Sequence, residues 1–94
     1  MPTRVYKYFI HPENSGGHVT ILMPAGSKAL HFGIFQNQMC VWAETPETSL
    51  TVNYHFTVVE TGFDVPPDHK YVGTAFQDSF AWHLYQELVS SHDN

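Results

Sequence analysis

Positive charge is scarce in this chain: four Lys and Arg stand against nine Asp and Glu, for a net charge of -5. An extended nucleic-acid footprint needs a stripe of basic side chains along the phosphates, so that class is excluded and only a single small anion remains open. Cysteine is almost missing too. The lone Cys40 rules out an intramolecular disulfide and suits a reducing compartment, where a thiol within a strand behaves as a small hydrophobe. No apolar run reaches the roughly 18 residues of a membrane span, and MPTRVYKYFI lacks the apolar core of a secretory signal. Neither membrane insertion nor Sec export is expected. The catalytic signatures are absent as well, with no G-x-S-x-G, no Walker-type glycine loop and no kinase set. The seven histidines never pair as H-x-H or H-x-x-x-H, which reads as scattered imidazoles without a metal or cofactor. A nucleophilic Cys40 would need exposure beside a His, whereas an alternating strand position predicts burial. The expectation is a protein that is not an enzyme.

What the chain does have is aromatic surface. Seven Phe, five Tyr and two Trp in 94 residues exceed what a minimal core needs, and a chain this short supports one domain, residues 1–94. The stretch from Leu30 to Glu44 reads as a β-hairpin around which the rest is built. Asn37 tolerates the positive φ of a tight turn, so Asn37-Gln38 is taken as the loop, placing Ile34 opposite Val41, Phe32 opposite Ala43 and Gly33 opposite Trp42. One face then carries Leu30, Phe32, Ile34, Val41 and Ala43; the other carries His31, Phe35, Cys40, Trp42 and Glu44. Only one face is needed for the core. The second calls for a ligand, a partner or another copy, and the predicted assembly is a homo-oligomer.

Short β-branched and aromatic runs separated by turn residues fill the remainder. Arg4–Ile10 stops at the cluster from His11 to Gly17, and His18–Met23 stops at Pro24-Ala25-Gly26-Ser27. Thr51–Glu60 is the cleanest alternation, with Val52, Tyr54, Phe56 and Val58 on one side. Pro66 and Pro67 make the next segment a loop. A last hairpin, Tyr71–Gln77 with Phe80–Gln86, turns at Asp78-Ser79; a two-residue loop sets Ala75 opposite Trp82, Thr74 opposite His83 and Gly73 opposite Leu84, and a register slipped by one is the alternative, Asp-Ser being a weaker turn signal than Asn-Gly. Residues 88–94 read as a frayed tail. The architecture predicted is all-β: one small antiparallel sandwich or barrel of about seven short strands.

Aromatic residues interleaved with sparse cations are the remaining constellation. Bases stack on rings for roughly 1–3 kcal/mol each, and one or two cations with turn N–H groups hold a phosphate. Lys28, following the Pro-Ala-Gly-Ser turn, is the first choice of cation; Arg4 and Lys7 follow. Trp42 is the chosen stacking platform, with His31, Tyr6 and Tyr8 beside it or as alternates. The competing reading of each ring is a core or interface role.

MPAGSKALHFGIFQNQMCVWAE, VVETGFDVP and YVGTAFQDSFAWHLYQE together resemble a family of short phage-encoded proteins known as a domain of unknown function. The matching features are Tyr6 to Tyr8, Met23 to Lys28, Met39 to Ala43, Thr61-Gly62 and Tyr71 to Glu87. This resemblance implies a phage accessory protein made in the host cytoplasm. Small phage β proteins of this kind resemble anti-CBASS sponges, which oligomerise and sequester cyclic-nucleotide immune signals, such as cyclic dinucleotides, without cleaving them. The rival expectation is a protein-interaction or structural module that binds a host or virion protein through its aromatic β face.

Overall fold

Thr51–Glu60, the strand with the cleanest alternation, lies inside the larger of two sheets, and its Tyr54, Phe56 and Val58 point into the core. The computed structural model describes residues 2–12 and 16–88. Among these, seven strands form: β1 (Thr3–Phe9), β2 (His18–Pro24), β3 (Lys28–Phe35), β4 (Gln38–Pro46), β5 (Thr51–Glu60), β6 (His69–Gln77) and β7 (Phe80–Glu87). A three-stranded sheet runs β1-β4-β3 and a four-stranded sheet β2-β5-β7-β6, with antiparallel ladders throughout. The fold is all-β, as the spacing of the apolar runs predicts. No helix among the described residues is long and apolar enough to cross a membrane. The tail expected to fray lies outside the described residues from residue 89 onward.

The sheets close on each other over Phe32, Val41, Phe56, Met23 and Leu84, all fully buried. Burying each such side chain contributes roughly 1.5–3 kcal/mol against the entropy of ordering the chain. β3 of one sheet lies against β6 of the other. A glycine permits that approach, since a Cβ at Gly73 would stand 3.3 Å from both the Cβ and the backbone nitrogen of Phe32. The two hairpin ends are also tied together, because the Gln77 side-chain amide donates to the Asn37 carbonyl at 2.9 Å.

The β6-β7 hairpin turns at Asp78-Ser79, with Ala75 opposite Trp82, Thr74 opposite His83 and Gly73 opposite Leu84 as expected. The β3-β4 hairpin departs from its expected register. Its loop is Gln36-Asn37 rather than Asn37-Gln38, and both residues take positive φ, 51° and 65°, as a type I′ turn requires. Ile34 therefore faces Met39, Phe32 faces Val41, Gly33 faces Cys40, and His31 faces Trp42. Every partner moves by two residues, which preserves the faces. Leu30 is the exception: the ladder shifts between Ala29 and His31, Ala29 takes the inward position, and Leu30 is left exposed. β5 is also more enclosed than a half-buried strand, since ladders on both sides leave its Thr57 and Val59 buried as well as Val58.

Candidate functional site

The outer surface of the β1-β4-β3 sheet is built in rows, because residues paired across antiparallel strands share a face. Val5, Glu44 and Lys28 form one row; Lys7, Trp42 and His31 form the next; Phe9, Cys40 and Gly33 form the third. Rows stand roughly 7 Å apart, two residues along a strand. Gly33 and Cys40 have little side chain, so the third row is a dent walled by larger neighbours. Lys7 reaches across it: its Nζ lies 3.7 Å from the centroid of the Phe35 ring and 4.9 Å from that of Phe9. Trp42 stands alongside, its ring 5.5 Å from His31 and edge-on to Phe35 at 6.5 Å. This brings a cation, an indole and an imidazole onto one open face with two phenyl rings.

Cys40 lies beneath them, fully buried. Burial pushes its thiol pKa up, while the Lys7 ammonium and the Phe35 backbone N–H draw it partly back. A protonated, covered thiol is a spacer in this surface rather than a nucleophile.

Lys7, His31 and Trp42 thus share one row, and Lys28 is one row away. Arg4, Tyr6 and Tyr8 are not brought together with them. Their partners are Thr45, Ala43 and Val41, which places them on the opposite face of the same sheet. Tyr8 packs against the core, and its phenol is shifted upward by burial and then by the neighbouring Tyr6. Arg4 and Tyr6 line a separate cavity of about 230 Å³ with Pro24, Thr45 and Glu47, smaller than the roughly 300 Å³ where ligand pockets begin.

The turn before Lys28 does not cradle an anion. The Ala25 N–H donates to Leu50 O at 2.9 Å, and the Gly26 N–H donates to the Tyr54 hydroxyl at 3.0 Å. The Ser27 N–H is shared between that hydroxyl at 3.1 Å and Pro24 O at 3.1 Å. Tyr54 has taken the place a phosphate would occupy, and it donates its own proton to Pro24 O at 3.3 Å. Lys28 keeps only its side chain, opposite Glu44. Lys7 becomes the better-placed cation.

Two further features escape a strand-by-strand reading because they assemble across strands. A cavity of about 530 Å³ opens beside β5 and β7, lined by Met39, Phe63 and Trp82 with Glu60 and Asp64. The Trp82 Nε1–H is buried with no acceptor among the described residues. Two carboxylates on the wall disfavour a phosphate there. The other feature is the outer face of the four-stranded sheet, where hydroxyls order the imidazoles. His69 Nδ1–H donates to Pro67 O at 2.8 Å, so its Nε2 accepts from the Thr57 hydroxyl at 3.3 Å. His83 lies between Thr74 at 2.9 Å and Thr61 at 2.9 Å. Near these, the ligand atoms of His18, His55 and Glu87 all come within 4.8 Å of one another. The only sequence signal for that cluster is the odd-even parity that puts each residue on the outer face of its strand.

No curated protein and no solved structure matches the chain. A family model described as a domain of unknown function, DUF7352, matches residues 1–93, and the chain belongs to that family.

Proposed function

We propose that this protein binds a small phosphate-bearing nucleotide on the outer face of the β1-β4-β3 sheet and holds it without cleaving it. In its specific form the reading is a phage counter-defence sponge of the anti-CBASS type, which sequesters a cyclic oligonucleotide signal in the host cytoplasm as a homo-oligomer. The observation that carries it is the Lys7 ammonium, 3.7 Å from the Phe35 ring centroid and 4.9 Å from that of Phe9, beside Trp42. Each cation–π contact contributes roughly 0.5–1 kcal/mol at an exposed site and fixes the ammonium without using all three of its N–H donors. Those donors serve a phosphate, while Trp42 and His31 offer flat faces to a base at roughly 1–3 kcal/mol per stack. The raised Cys40 thiol offers no attacking group at the same spot.

A second reading has an observation of its own. Val5, Phe9, Leu30 and Phe35 are exposed on or beside this face, and an apolar patch of that kind suits a host or virion protein. One experiment separates the two. Purified protein is mixed with a panel of cyclic dinucleotides, its melting temperature is followed, and nucleotide released on heating is weighed by mass spectrometry. The sponge reading expects a positive shift with intact nucleotide. It also expects Lys7→Met to weaken that binding by about 1.5–3 kcal/mol, the range for a hydrogen bond to a charged group, while Lys70→Met leaves it unchanged. No shift across the panel leaves the protein-partner reading, and a hydrolysed product rejects sequestration.

A further inference from the structure

We propose that His18, His55 and Glu87 bind a zinc ion on the outer face of the four-stranded sheet, independently of any ligand on the Lys7 face. The three residues come from adjacent strands in the order β2-β5-β7: His18 opens β2, His55 lies mid-strand in β5, and Glu87 ends β7. Antiparallel register collects them. His18 pairs with Thr57 and Thr20 with His55, so the two imidazoles are diagonal neighbours on one face. The Phe56–Gln86 pair then sets His55 and Glu87 level across the β5-β7 ladder.

The donor atoms are within 4.8 Å of one another. Ligand atoms of a tetrahedral zinc stand about 3.4 Å apart, given Zn–N and Zn–O bonds of about 2.0–2.1 Å. Closing that gap takes up to about 1.4 Å. Side-chain rotation supplies it, because His18 and Glu87 are both exposed. The His18 and His55 rings are already near parallel, at 25° with centroids 6.1 Å apart.

His55 is prepared for the part in a way His69 and His83 are not. Its Nδ1 is 3.0 Å from the Thr20 hydroxyl, which leaves Nε2 as the nitrogen to meet a metal. The second nitrogen of a ligating histidine is usually held by an outer-shell hydrogen-bond partner that fixes both tautomer and ring orientation, and the Thr20 hydroxyl stands in that position here. His69 and His83 have both nitrogens engaged by protein groups. Two imidazoles and one carboxylate form a donor set suited to zinc, with water completing the coordination. The chain's net charge of -5 favours cation approach over anion approach.

The test uses the full chain without a histidine tag, titrated with zinc chloride in a calorimeter and with cobalt(II) followed by visible absorption. One metal per chain is expected, with the intense absorption bands of tetrahedral cobalt, displaced by zinc. His55→Ala and Glu87→Gln are each expected to weaken zinc about tenfold or more, whereas His69→Ala on the same face leaves the affinity unchanged. Far-UV circular dichroism checks each variant, and Glu87→Gln, at an exposed strand end, provides the reading should His55→Ala fail to fold. Absence of zinc binding at 100-fold excess overturns the proposal. So does a parent affinity retained in His18→Ala and Glu87→Gln.

Discussion

Cys40 and Lys7 show how much one buried atom and one surface cation constrain each other. The thiol is fully covered on the outward side of its sheet, in the row of Phe9 and Gly33, so the lysine stem and rings above it form a packed lid. Burial raises the thiol pKa, and Lys7 with the Phe35 amide only partly offsets this. The sign of the linkage follows. A folded pKa raised above the unfolded value of about 8.5 means that the neutral thiol's contribution to stability is complete below that pH and is lost as pH rises through the folded value. Tyr8, also raised by burial, acts with the same sign beyond the ordinary phenol value of about 10. Urea midpoints measured at pH 7.5 and 9.5 are therefore expected to fall further for the parent than for Cys40→Ala. Parallel losses in the two chains would remove the thiol from the account.

At the scale of the element, turns decide what alternation leaves open. Gly17, just before β2, takes φ of 72°, and its carbonyl accepts the Val58 N–H at 2.9 Å. A Cβ there would stand 2.2 Å from the Val58 carbonyl oxygen, a backbone atom that cannot swing aside. Gly17→Ala combines a left-handed φ with that collision, and a cost of about 2–4 kcal/mol is expected, read as a lowered denaturant midpoint. A midpoint within experimental error of the parent would mean that the β2 entry relaxes freely. Asn37 and Asp78 show where local signals are legible and where they end. Both take positive φ, and Asp78-Ser79 announced its hairpin with the correct pairs. Asn37 announced a turn but not which neighbour shares it. That choice belongs to the whole hairpin, where Ile34 meets Met39 on the core side and Gln77 grips the Asn37 carbonyl from the next hairpin. The bulge that expels Leu30 is equally silent in an alternating run. Among the site residues, Lys7, His31 and Trp42 were recognisable as cation and rings. Tyr6 and Tyr8 alternate with Lys7 along β1, so parity puts them on the other face, and the His18, His55 and Glu87 cluster depends on the strand order β2-β5-β7, which no local pattern encodes.

At the scale of the whole molecule, four sheet edges among the described residues have to be managed. β3 and β6 cover each other at the Gly73 seam, while β1 and β2 are the remaining outer strands of their sheets. β1 is the more exposed to association. Among the described residues it has a ladder partner on one side only, β4, and it displays Val5, Tyr6 and Phe9 to solvent. An unpaired edge bearing apolar side chains is a template for a second chain, and a two-fold axis between antiparallel β1 strands is the simplest closed solution. Such pairing would join two three-stranded sheets into one continuous surface and set two Lys7 rows side by side, the arrangement a ligand with two phosphates would use. Light scattering at micromolar concentration is expected to return about twice the 10.7 kDa of the chain. Val5→Lys, which puts a charge in place of an exposed apolar side chain on the outer face of the edge strand, is expected to return a monomer with little change in far-UV circular dichroism, since surface substitutions usually cost within about 0.5 kcal/mol. A parent that scatters as 10.7 kDa would leave the exposed β1 face to a partner of another kind, and a Val5→Lys variant that stays dimeric would move the interface away from this edge.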